Sequence, residues 1–301
     1  MSVIILYTML LLFTDRADAG AQCLKALKQW YETMIPALFP MMLLSAIMVD
    51  TGLAEKLGFL LNRSLLRFLH ISDSACYCLM TGFLFGFPMG AKTTSDMLMK
   101  KNITPKEGEY LMTFINCIGP MYTISFLHGR FPEHALWKLL TGIYGVSFLY
   151  GLLLRYTLYR KESFKKVSLT EKRNAPHKNL SFIDALYECV PKCGKSMLLL
   201  GGYMVLFQVS FITLEHFLVS INMKTDIFHP LLEITGGLSE LPINTPLSQI
   251  LFYVHAGGAC CFLQTYHFLK PAGLSIKKYA LHRIWTACLV YLISELTSVL
   301  I

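Results

Sequence analysis

The segment Gly86-Phe87-Pro88-Met89-Gly90-Ala91-Lys92 puts helix-breaking residues next to a cation. Gly86 and Gly90 permit close backbone approach and positive φ, and Pro88 interrupts a helix. Lys92 then leads through Thr93, Thr94 and Ser95 into a helix. Free N–H groups and the dipole at a helix N-terminus favour a small anion, and a lysine beside them suits a dicarboxylate. The competing reading makes Lys92 a plain charge at the lipid headgroups. Downstream, Asn116-Cys117-Ile118-Gly119-Pro120 sets an amide beside a second break. A polar side chain inside a membrane is a candidate for function, although Asn also joins helices by hydrogen bonds.

The C-terminal part carries a matching pair of features. Leu232-Glu233-Ile234-Thr235-Gly236-Gly237 places a carboxylate in a glycine break. A buried carboxylate needs a partner. Glu233 could hold a coupling cation or proton, pair with Lys92 or Arg283, or cap Thr235. His255 and Gln264 flank Gly257-Gly258 and could donate hydrogen bonds to a substrate; packing is an equal reading for His255. The candidate substrate-binding set is Gly86, Phe87, Pro88, Gly90, Lys92, Thr93, Asn116, Gly119, Glu233, Thr235, Gly236, Gly237, His255 and Gln264. No nucleophile elbow, metal-ligand pair or P-loop stands out, so catalysis, a bound metal and a cofactor are not expected. The nine cysteines lie in or beside apolar segments, as structural cysteines do.

The elements that must position these residues are mostly apolar. Hydrophobic residues make up 54% of the 301 residues and charged ones 15%, with mean hydropathy +0.50. Soluble domains carry about 25% charge. Too little polar surface remains to coat a soluble core, so the expected fold is an all-α polytopic membrane protein.

Residues 1–17 read as a short apolar helix, too short for a comfortable span. Small residues between Asp15 and Gly20 leave a cleavage site open. Residues 18–33 read as an amphipathic helix and 34–54 as a span. The segment 75–91 is broken by Gly82, Gly86, Pro88 and Gly90. The span 107–128 is interrupted at Asn116, Gly119 and Pro120, and 134–154 is a plain span. Residues 156–181 form a basic linker.

The same order then recurs: amphipathic helix 182–194, span 197–219, broken segment 230–242, interrupted span 247–269 and final span 280–301. The repeats are therefore 18–155 and 182–301. Paired Gly/Pro-broken segments in two halves point to a transporter binding site. Unpaired backbone in lipid costs several kcal/mol per group, so re-entrant hairpins are the economical reading of 75–91 and 230–242.

Charge sets the orientation. With the linker cytoplasmic, the loops 55–73, 92–106 and 270–283 also face the cytoplasm. Counting the linker with its flanks, residues 155–195, these segments hold all but six of the 27 basic residues; the six are Arg16, Lys25, Lys28, Arg130, Lys138 and Lys224. This is the positive-inside bias, so the net charge of +8 is a topology signal and not a nucleic-acid footprint. Three full spans lie between the two amphipathic helices, an odd number that inverts the repeats.

The motifs Gly86 to Lys92, Asn116 to Pro120, Leu232 to Gly237 and Gly257-Gly258 with Gln264 resemble those of YlbJ-type sporulation integral membrane proteins. So do Pro36-Ala37-Leu38-Phe39-Pro40 and His282-Arg283. That family lies in the nucleoside-recognition or "Gate" domain group, distantly similar to concentrative nucleoside transporters. The resemblance covers about residues 20–300, with Phe87 where Tyr is usual and Gly236 where a second Thr is common. It implies a secondary or facilitated carrier of a small organic anion, dipicolinic acid, across the outer forespore membrane of a sporulating bacterium. The alternatives are a nucleoside-type carrier and a non-transporting sensor or scaffold of a sporulation complex. The expected partners are the organic anion and the lipid bilayer of the bacterial cell membrane. Nucleic acid is not expected, and a homo-oligomer stays open.

Overall fold

The computed structural model describes residues 16–127, 133–164 and 180–299, and it is all-helical, with no strand among the described residues. The expected helix within residues 1–17 and most of the 156–181 linker lie outside the described residues. The first described stretch is α1 (Arg16–Gln29), a π-helical turn (Trp30–Met34) and α2 (Ile35–Asp50). These run on as one rod, with the π-helical turn just ahead of Pro36 and with Pro40 inside α2. The amphipathic piece and the span read separately from the sequence are therefore one helix. The same fusion occurs after the linker, where α10 (Phe182–Ser220) continues for 39 residues through Pro191.

The two rods lie side by side and antiparallel. Gln208 Nε2 donates to Gln22 Oε1 at 2.8 Å, and Trp30 Nε1 donates to the Met197 carbonyl at 3.0 Å. At the far end Cys189 meets Asp50 at 3.3 Å. Rising numbers on one rod thus meet falling numbers on the other.

After α2 come α3 (Leu53–Leu61), α4 (Asp73–Phe85) and α5 (Met89–Met99). Next are α6 (Pro105–Met112), α7 (Pro120–Leu127), α8 (Glu133–Leu140) and α9 (Val146–Tyr156). Past α10 lie α11 (His229–Leu232), α12 (Ile234–Glu240), α13 (Leu247–Ala256), α14 (Gly258–Leu269) and α15 (Ile276–Val299). The first broken segment spans more than 75–91: α4 and α5 form a helix–turn–helix hairpin over residues 73–99. Ser72 caps α4 through its hydroxyl and is itself held by Glu107, which accepts from its N–H at 2.7 Å and its hydroxyl at 3.0 Å. Glu107 therefore fastens the base of the hairpin to α6. The second broken segment is two short helices over 229–240, close to the expected 230–242.

The interior is shared by residues from both sides of the linker. Leu38, Met42 and Met89 pack with Ala185, Cys193 and Phe268. Phe87, Ile118 and Ile143 pack with Ile234, Leu238 and Tyr253.

Three residues that the charge count places in loops are inside the bundle: Lys92, Arg155 and Arg283 are all buried. Arg155 donates to the carbonyls of Leu69, at 2.8 Å, and Tyr159, so it ties the end of α9 to the segment before α4. A run of sequence cannot register this, because a basic residue near a span end looks the same whether it faces water or neighbouring carbonyls.

Candidate functional site

The turn between α4 and α5 is where the centre of the molecule is built. α4 stops because Gly86 adopts φ 78° and ψ −167°, a region essentially reserved for glycine. The chain then passes a cis Phe87–Pro88 bond into α5. A Cβ at Gly86 would stand 2.2 Å from the Gly119 nitrogen. The hairpin tip therefore sits directly on the irregular stretch 113–119 that separates α6 from α7.

That stretch interrupts the helical ladder, and side chains donate to its carbonyls. Tyr144 donates to the Ile118 carbonyl at 2.7 Å and Thr123 to the Gly119 carbonyl at 2.9 Å. This is how broken backbone survives away from water. Asn116, buried here, joins three elements. Its Oδ1 accepts from the Ala91 N–H at 3.4 Å, and its Nδ2 donates to Thr265 Oγ1 at 3.0 Å and Tyr279 Oη at 2.9 Å.

The C-terminal elements carry the complementary break. α13 ends at Gly257 with φ 83°, and Gly258 with φ 64° opens α14. A Cβ at Gly258 would lie 2.9 Å from the Pro230 carbonyl, so the α11–α12 pair abuts this break as α4–α5 abuts the other. Each broken pair also reaches across the linker boundary. The Phe87 ring faces Gly257, where a Cβ would be 3.4 Å away. Tyr122 of α7 donates to the Thr235 carbonyl of α12 at 3.1 Å.

The other expected site residues divide by position. Glu233 caps α12, accepting from the Thr235 N–H at 3.0 Å and the Gly236 N–H at 2.6 Å. The cap among its expected roles is formed. Gly236 faces Gln208, and Gly237 fits against Pro230. Lys92 is buried and paired with Asp96 at 2.6 Å. Thr93 turns to Ser45 of α2 at 3.3 Å. Pro88 lends its carbonyl to the Lys92 N–H. His255 contacts the Leu251 carbonyl at 2.9 Å and Ser147 of α9 at 3.4 Å, and Gln264 bonds to Cys260 within its own helix. The structure thus gathers Gly86, Phe87, Gly90, Asn116 and Gly119 at one centre. It sets Glu233, Thr235, Gly236 and Gly237 on the adjoining break, and places Lys92, Thr93 and His255 to the sides.

Several central groups lie outside the expected substrate-binding set. Arg283 is 2% exposed, donates to the Val254 carbonyl at 3.1 Å, and has its guanidinium 5.2 Å from the Phe87 ring centre. Its signal, an arginine at the start of an apolar run, was there but was counted as loop charge. Thr265 and Tyr279 carried no signal beyond residue type. A second polar cluster centres on buried His229, which stacks on Phe211 at 3.9 Å and contacts Gln208 at 3.1 Å and Glu240 at 2.5 Å. Lys25 of α1 pairs with Glu240 from the other side. A small cavity lies between Glu109, Thr113, Lys278, Tyr279 and His282, so Tyr279 separates it from Asn116. Among the described residues no group of three or more His, Cys, Asp or Glu is placed to hold a metal, and all nine cysteines are free.

Three stretches are long and apolar enough to cross a membrane, Asp18–Asp50, Trp137–Tyr156 and Phe182–Ser220. Large apolar side chains such as Tyr187, Ile183 and Leu198 stand on their outer faces. Fold and site together define a helical integral membrane protein with broken helices around a buried polar centre. The chain is 24% identical over 247 residues to the sporulation integral membrane protein YlbJ of Bacillus subtilis (strain 168), covering 77% of this chain. The resemblance read from the motifs is borne out by this relative. The chain spans 59% of the length of that relative. No family model matches the chain, and no solved structure matches it.

Proposed function

We propose that this chain is a secondary or facilitated carrier and not an enzyme. Its two halves would be inverted repeats, each giving one re-entrant hairpin and one interrupted helix to a shared midplane site. The observation that carries this reading is the reciprocal crossing of the hairpins, Phe87 onto the Gly257 break and Thr235 onto α7. Two matched breaks in a membrane interior are costly, and a binding site explains why both meet. The antiparallel packing of α1–α2 against α10 supports inversion, because these are corresponding elements.

The proposed cargo is a small organic anion, dipicolinate first, moved across the outer forespore membrane. The link to sporulation rests on the similarity to YlbJ. Lipid and the anion are the proposed partners. Reconstitution into liposomes tests the reading, with labelled dipicolinate and labelled uridine offered separately. Dipicolinate should accumulate above the level of empty liposomes. Uptake of uridine alone would replace the anion reading by a nucleoside carrier. No uptake of either by folded protein would overturn the carrier reading.

A further inference from the structure

A buried guanidinium normally sits beside a carboxylate, because an uncompensated charge away from water is expensive. Arg283 breaks that expectation. It stands on α15 at 2% exposure, and among the described residues no Asp or Glu pairs with it. An arginine has five N–H donors. One bond goes to the Val254 carbonyl at 3.1 Å, while the Nε hydrogen has no partner. Lys92, the cation singled out by the sequence, is already matched by Asp96 at 2.6 Å. The central charge left without an anion is therefore Arg283.

Gly257 presents no side chain, and a Cβ there would fall 3.9 Å from Arg283 Nη2 and 3.4 Å from the Phe87 ring. The N-terminus of the 12-residue α14 opens at the same point, adding free N–H groups and the positive end of a helix dipole. The guanidinium carbon lies over the Phe87 ring, 5.2 Å from its centre, so the ring face steadies the cation without supplying an anion. A guanidinium fork pairs with the two oxygens of a carboxylate in one plane.

We propose that Arg283 is the counter-charge for the substrate, taking one carboxylate of a small organic anion. This rests on the carrier reading above and names the residue that makes its site select anions. The bond to Val254 holds the guanidinium in place between α13 and α15 while the site is empty. When substrate arrives, the Nε edge is the free side of the fork.

Binding of pyridine-2,6-dicarboxylate and of neutral uridine to the full-length protein in nanodiscs, followed by titration calorimetry, tests this. The wild type should bind the dicarboxylate and not uridine. Arg283→Gln, which removes the charge but keeps a polar amide, should weaken it by about 30-fold or more, the loss expected for removing one partner of a buried charge pair. Unchanged affinity in this variant would overturn the assignment to Arg283 and leave the carrier standing. Absence of dicarboxylate binding in the wild type would sink the anion reading itself. Should Arg283→Gln fail to fold, ¹⁵N-arginine labelling of the wild type decides. The Nε–H resonance missing from Arg283→Lys should move on saturation with dicarboxylate; an unmoved resonance rules the assignment out.

Discussion

Asn116 shows how one residue can join parts of the chain that are far apart in sequence. Its amide spans α5, α14 and α15 through three hydrogen bonds. Interhelical bonds in membranes average about 0.6 kcal/mol and reach about 1.7 kcal/mol, because the competing states also find partners. A double-mutant cycle of Asn116→Ala with Tyr279→Phe should therefore give a coupling energy of about 0.6–1.7 kcal/mol, read from unfolding of the purified protein in detergent. A coupling near zero would mean that the bond adds nothing. Asn116 was legible in the sequence because an amide inside an apolar run has few innocent explanations. Its partners Thr265 and Tyr279 were not, because a hydroxyl in a helix can satisfy itself on the preceding turn. The pairing of Lys92 with Asp96 was legible in spacing alone, since residues four apart share a helix face. The sequence reading weighed Lys92 only against a ligand and the lipid headgroups, while the helix from Met89 to Met99 gives it Asp96 one turn on.

Breaks in helices were read with more success than their ends, because Gly and Pro act locally while helix length depends on packing. Both broken segments and the interruption near Asn116 were visible as Gly/Pro punctuation. The fusion of amphipathic piece and span into one rod was not, since Pro36 and Pro191 look like boundaries but are tolerated in the folded rods. Two glycines separate break from filler. Gly86→Ala would force a Cβ to 2.2 Å from Gly119 in a conformation closed to alanine, and should destabilise by at least about 1–3 kcal/mol. Gly202→Ala, in mid-rod on α10 with nothing within 4 Å, should be neutral or stabilising by up to about 1 kcal/mol. Thermal unfolding of both variants checks the pair, and transport should be lost only in the first. Equal stability of the two would mean that the hairpin tip does not rest on the 113–119 stretch.

At the scale of the molecule, the charge count that oriented the chain included three residues that the bundle buries, Lys92, Arg155 and Arg283. Removing them from the loops weakens the bias without reversing it, because Arg160 and Lys161 at the start of the linker and Lys277 and Lys278 are exposed. The orientation then makes a sharp demand. α10 must carry the chain across once, and α13–α14 must bring it back, with the α11–α12 pair entering and leaving on one side. Single cysteines at Lys161, Lys224 and Lys277, all exposed, report on this in a cysteine-free background. A membrane-impermeant maleimide added to intact cells should label position 224 alone, and positions 161 and 277 should label only after the membrane is opened. Labelling of 224 and 277 from the same side would mean that the α11–α12 pair crosses the membrane. The second hairpin would then be a kinked span, and the inversion of the halves would fail with it.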